Sequence, residues 1–195
     1  MIKFLVCGTI ATCGLIIAVT SLEILGPGRW DVLNVAQCDN PDQYEVQIFV
    51  HKKKFTRDKD CYNGNLTLVD RLDESYAIRI ELCVTVDGGC KPYQNYSDDS
   101  FINYIKRYAQ HNVEKALLMS GVDPPEFPME PGVYHIENYV FDYCELLRTG
   151  VYGKYGTDVF LIKDGKNIGC MHYLLEFRAG DDSCDGSNED DEEEE

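Results

Sequence analysis

Residues 76–86 read YAIRIELCVTV, and their alternation constrains this chain more than any other feature. Tyr76, Ile78, Ile80, Leu82, Val84 and Val86 point one way, whereas Arg79, Glu81, Cys83 and Thr85 point the other. One apolar face and one polar face predict an antiparallel sheet covered on a single side. The same period appears at Tyr44, Val46, Ile48 and Val50 and in VYHIENYVF, 133–141. In the segment 156–177, GTDVFLIKDGKNIGCMHYLLEF, it predicts a hairpin turning at Asp164-Gly165, with Met171, Tyr173, Leu175 and Phe177 sharing a face. The stretch HKKKFTRDKDCYNGN, 51–65, reads as a charged connection.

The period changes at 97–121. Ile102, Ile105, Ala109, Val113 and Leu117 recur at helical spacing between Ser/Asp caps and Gly121. This predicts a helical insertion of one helix or two short ones, either packed on the sheet or serving as a lid over a cavity. The proline-rich DPPEFPMEPG, 123–132, then breaks both periods. Many short strands, one helical insertion and Gly/Pro turns indicate a mostly β chain, a sandwich or cup.

The two ends are separate objects. An apolar run from Phe4 to Val19 follows Lys3, and small residues follow it. At 16 residues it is short for a membrane span and fits a cleaved secretory signal over 1–21, with an uncleaved anchor as the alternative. The tail, 181–195, holds ten Asp/Glu and no Lys or Arg. Its charges repel and it has nothing to bury, so disorder is expected, as a solvated tail or a partner- or cation-binding arm. Of the net charge of −16, about −6 remains on the chain up to Gly180, of which 22–180 is the expected folded domain. The sign of the charge excludes nucleic acid as a natural partner.

Export makes the cysteines a disulfide framework before anything else. Cys83 and Cys90 enclose six residues, a poor spacing for zinc or for a thioredoxin-type redox pair. A hairpin staple on the polar face fits, with the two opposite each other if the chain reverses about Val86 and Asp87. The sequons at Asn65 and Asn95 make both glycosylation candidates. No metal site, cofactor motif or catalytic motif is recognisable: His51, His111, His135 and His172 lie in separate elements, and there is no nucleophile elbow or phosphate loop. An enzyme is therefore not expected. The basic cluster Lys52, Lys53, Lys54, Arg57 and Lys59 reads as a solvated hairpin end or a contact for an anionic headgroup.

Several spaced pieces together resemble one family. They are Trp30 followed by Cys38-Asp39, the pair in ELCVTVDGGC, the strand start PMEPGVYHI, and the ending KDGKNIGCMHYLLEFRAG. The chain from about Trp30 to Gly180 resembles the secreted ML lipid-recognition proteins, specifically their ganglioside-activator branch and the related insect chemosensory CheB proteins. The resemblance implies an immunoglobulin-like two-sheet β-sandwich whose sheets part to form an apolar cup. It also implies a Cys38–Cys170 disulfide alongside Cys83–Cys90. The branch's usual Cys-Pro is replaced here by Phe127-Pro128. Cys61 and Cys144 are then the candidates for an extra bridge, leaving Cys184 in the tail unpaired or available to another molecule.

The implied function is a secreted, extracellular carrier for a lipid or other hydrophobic small molecule, delivering it to a receptor or membrane surface. Chemosensory perception of a pheromone or cuticular hydrocarbon is the leading role. Activation of glycolipid hydrolysis, a role that would suit a lysosomal lumen, and a secreted interaction module with a filled core are the alternatives. The expected cavity residues are Ile80, Leu82, Val84, Tyr134, Ile136, Phe160 and Leu175, with Ile105 or Tyr108 at the mouth.

Overall fold

A computed structural model describes residues 25–57, 59–180 and 184. The expected signal segment and, apart from Cys184, the acidic tail lie outside the described residues. The strands are β1 (Leu25–Pro27), β2 (Arg29–Gln37), β3 (Gln47–Lys54), β4 (Asp60–Leu68), β5 (Ala77–Val86), β6 (Gly89–Asp98), β7 (Gly132–Tyr139), β8 (Thr149–Val151), β9 (Gly153–Lys163) and β10 (Lys166–Arg178). Helices α1 (Phe101–Tyr108) and α2 (Gln110–Met119) interrupt them. The protein is mostly β, and all three sheets are antiparallel and open. Their orders are β2-β10-β9-β5-β6, β3-β4-β7 and β1-β8.

The alternating segment becomes β5, an interior strand of the five-stranded sheet between β9 and β6. Two-residue turns close both of its long hairpins. At β9–β10, Asp164 and Gly165 adopt φ of 50° and 74°, the double left-handed conformation that Asp-Gly supplies. At β5–β6 the turn is Asp87-Gly88, with Gly88 at φ 100°. That turn shifts the expected register. Cys90 stands opposite Thr85 and Cys83 opposite Pro92, with a bulge beyond them between Leu82 and Cys83, so the two cysteines are diagonal rather than directly opposed. Their Cα atoms are still 5.4 Å apart and the disulfide forms.

The charged connection is the main departure from the sequence reading. Lys52, Lys53 and Lys54 complete β3, and β4 begins at Asp60, so only a short loop separates the strands. Lys52 and Lys54 each reach Asp60 at 2.7 Å, so one carboxylate is shared by two of the cluster's cations. The register fixed by β3 and β4 over Gln47–Lys54 extends a polar strand end that alternation alone cannot identify. The insertion forms two helices: the chain breaks at Ala109 (φ −155°, ψ 32°). Ser100 caps the first, its Oγ accepting from the Asn103 amide at 3.2 Å.

The two larger sheets pack together through two clusters. Val46 and Leu68, on the three-stranded side, pack with Leu161 and Ile168 of the five-stranded sheet and with Leu117 of α2. The Val46 amide donates to the Ile168 carbonyl at 2.8 Å, linking the sheets through backbone. Gly169 permits this approach, because a Cβ there would lie 3.3 Å from Val46 Cβ and 3.4 Å from Leu161 Cβ. A second cluster joins Val35, Tyr62, Tyr139 and Met171.

Among the described residues three disulfides form, Cys38–Cys170, Cys83–Cys90 and Cys144–Cys184. The third corrects the expected Cys61–Cys144 bridge. Cys61 sits in β4 with no exposed surface and is unpaired, whereas Cys144 lies in the partly open turn Tyr143–Glu145, where the tail residue Cys184 reaches it. The three bridges point to an oxidising, extracellular environment. Among the described residues no helix is long and apolar enough to cross a membrane.

Candidate ligand cavity

A cavity of about 360 Å³ opens between the two larger sheets and the helical insertion. Its size falls within the range of small-molecule sites. Val46, Ile48, Val50, Leu66 and Ile136 wall it from the β3-β4-β7 side, and Ile78, Val159, Leu161, Met171 and Tyr173 from the other. Helices α1 and α2 contribute Phe101, Ile105, Val113, Ala116 and Leu117. Of the helical stripe read from the sequence, Ile105, Val113 and Leu117 thus belong to the cavity wall, whereas Ile102 and Ala109 do not. The proline-rich break adds Phe127, whose ring meets Phe101 edge-on at 6.0 Å.

Of the residues expected at the cavity, Ile105, Tyr134, Ile136 and Phe160 surround it. Phe160 contributes little of its ring: Val159 and Leu161 flank it on the cavity face, and Arg79 covers the ring at 4.8 Å on the opposite face. Ile80, Leu82, Val84 and Leu175 do not line the cavity. Leu82, Val84 and Leu175 lie on the correct face but further along the sheet. Val84 and Leu175 flank Tyr155, whose ring contacts Trp30 and Tyr93. Tyr108 packs on Tyr104 with ring centres 4.8 Å apart, away from the lining. Ile78, one alternation earlier than Ile80, is the β5 residue that reaches the cavity. The shift reflects where the shorter sheet lies over the longer one, which periodicity does not encode.

Sequence reasoning missed Tyr173 as a cavity residue, although it placed it on the correct face. It also missed Val46, Ile48 and Val50, whose alternation was the available signal. A second recess of about 300 Å³ lies outside the first, edged by Lys106, Gln110, Glu114 and Glu126. Ile105, Val113, Leu117 and Phe127 border both recesses and form the partition between them.

No lining residue carries a charge at neutral pH. The nearby phenols also stay neutral. Burial, followed by the bond to Tyr143 at 2.5 Å, pushes the Tyr62 pKa up, and burial raises Tyr139 and Tyr173. The face of β9 and β10 that bears Cys83–Cys90 holds His172 Nδ1 2.6 Å from Asp158 Oδ1, on the opposite side of the sheet from the cavity. Asn65 and Asn95 are both exposed, Asn65 with its Oδ1 accepting from His135 Nδ1 at 2.6 Å. Among the described residues no group of three or more His, Cys, Asp or Glu could hold a metal ion. The chain matches no model of a known protein family, and no curated protein is significantly similar to it.

Proposed function

We propose that this protein is a secreted binding protein that carries a lipid or other hydrophobic small molecule in the cavity between its sheets. The observation that carries the reading is the cavity itself: about 360 Å³, walled almost wholly by aliphatic and aromatic side chains. A filled core would leave no such space, since protein interiors pack to near-crystalline density. Binding would derive from burial of the ligand's chain, worth about 0.8 kcal/mol per methylene.

Three disulfides and the N-terminal apolar run support export. The resemblance to ML lipid-recognition and insect chemosensory proteins supports an immunoglobulin-like sandwich used as a lipid cup, and a carrier role in chemical sensing. The partition of Ile105, Val113, Leu117 and Phe127 is the natural way in, because these residues border both the cavity and the outer recess.

Native mass spectrometry and solvent extraction of the secreted protein test this reading. A bound hydrophobic species, and saturable uptake of a neutral naphthylamine dye, are the expected results. Ala116→Phe, which fills the cavity from α2, should lower dye affinity at least about tenfold without loss of fold. Absence of any bound species together with no dye uptake sinks the reading.

A further inference from the structure

Four polar side chains stand around the otherwise apolar cavity: Asn65, Ser120, Tyr134 and Tyr173. Three are already engaged. Asn65 Oδ1 accepts from His135, Ser120 Oγ donates to the Leu117 carbonyl at 2.8 Å, and Tyr134 donates to the Glu130 carbonyl at 2.6 Å. Tyr173 is half-buried at the cavity wall, and its hydroxyl has no hydrogen-bond partner among the described residues.

Its surroundings repeat the deficit. Thr157 stands directly across the β9–β10 register from Tyr173 and is 4% exposed, yet its Oγ1 also lacks a partner. Buried hydroxyls are nearly always bonded, and leaving one unmet is costly. The neighbouring phenols have settled differently: Tyr62 bonds to Tyr143, and Tyr139 donates to Asn112. Tyr173 therefore presents an unused donor at the end of the cavity where Val35, Tyr62, Tyr139 and Met171 cluster. At the other end, around Leu72, Leu117, Phe127 and Met129, the polar side chains Ser120 and Tyr134 are already bonded to backbone carbonyls, which leaves that end apolar in its free groups.

The wall also rejects one class of ligand. None of its residues is Lys, Arg or His, so a carboxylate or phosphate drawn inside would be a buried charge without a counter-ion.

We propose that the cavity selects uncharged, chain-like amphiphiles bearing one hydrogen-bonding oxygen, which the Tyr173 hydroxyl holds while the chain runs toward Phe127. This rests on the binding function proposed above and narrows its ligand class from hydrophobic molecules in general to neutral ones with a single oxygen, such as long-chain alcohols, aldehydes or esters.

Dodecane, dodecanol and dodecanoate share one chain length and differ at one end, so their displacement of the naphthylamine dye isolates the polar contact. Dodecanol should bind at neutral pH at least about tenfold more tightly than dodecanoate. Dodecanoate affinity should recover as the pH falls through its carboxyl pKa. Tyr173→Phe should weaken dodecanol about fivefold and leave dodecane unchanged, the dodecane arm also reporting that the variant is folded. Equal affinity of dodecanoate and dodecanol at neutral pH overturns the proposal. So does a Tyr173→Phe variant that weakens dodecane and dodecanol alike. If none of the three displaces the dye, the cavity-binding function fails with it.

Discussion

Glu145 and Asn112 are joined by two hydrogen bonds: the Glu145 carboxylate accepts from the Asn112 backbone amide at 2.8 Å and from its Nδ2 at 2.7 Å. The same carboxylate accepts from the His111 amide at 2.7 Å, so it caps the first turn of α2 from a distant segment. Asn112, 3% exposed, completes the link by accepting from Tyr139 and from the Asp142 amide through Oδ1. This network holds the cavity-lining helix against the chain that carries Cys144.

Replacing Glu145 should therefore act on the cavity wall as well as on stability. Glu145→Ala is expected to cost about 2–3 kcal/mol in urea unfolding, because it strips charged bonds from the two donors of the buried Asn112. It should also speed release of the bound dye, since α2 supplies Val113, Ala116 and Leu117 to the lining. Unchanged stability and unchanged dissociation would show that the network is incidental.

The disulfides should differ in worth according to the chain they enclose. Cys38–Cys170 spans 132 positions and Cys83–Cys90 spans 7. In the chain-entropy description these correspond to about 5 and about 2.5 kcal/mol. Paired Cys→Ser variants compared by urea unfolding should show the larger loss for Cys38–Cys170; the reverse order would discredit the entropic account here.

Cys61 should be the single titratable thiol of the chain lacking residues 1–21. It is fully buried in β4, with its Sγ 4.0 Å from Asn138 Oδ1. Alkylation without reductant is expected to label nothing in the native protein and one site after unfolding. Labelling of Cys144 or Cys184 in that experiment would contradict their disulfide.

Thr157 offers a stabilising substitution. Its Oγ1 is buried and unpartnered, so Thr157→Val keeps the shape while removing the unmet hydroxyl. A gain of about 1 kcal/mol in thermal or urea unfolding is expected. A loss would mean that the hydroxyl has a partner in solution.

Asp60 makes the stability depend on pH. Hydrogen bonds from Lys52 and then Lys54 hold its carboxyl below the ordinary carboxylate range. The folded value lies below the unfolded one, so the stability it contributes is present above the unfolded value of about 3.9 and disappears as pH falls through the folded value. Asp60→Asn should lose stability at neutral pH and converge with the parent protein in acid. A constant difference across that range would remove Asp60 from the acid response.

Much of the architecture was legible because it is local. Alternation at 76–86 marks β5, Asp164-Gly165 marks the hairpin, and the stripe from Ile102 to Leu117 marks the helices. The Asp60–Lys52 and Asp60–Lys54 pairs show the limit: a run of lysines reads as a loop, yet pairing with β4 makes it strand. A strand end held by cross-strand hydrogen bonds and one carboxylate needs no apolar alternation.

The candidate site divides in the same way. The face that each strand residue takes follows from the two-residue period, so Tyr134, Ile136, Met171 and Tyr173 could be assigned to one side before any contact was known. Where along that face the cavity falls depends on how far the β3-β4-β7 sheet overlaps the longer sheet, and on where α2 is pinned by Glu145. Those are contacts between segments remote in sequence, with no local signature. They bring Ile78 to the cavity instead of Ile80, send Cys144 to Cys184 instead of Cys61, and place Tyr173 in the cavity wall without a hydrogen-bond partner among the described residues.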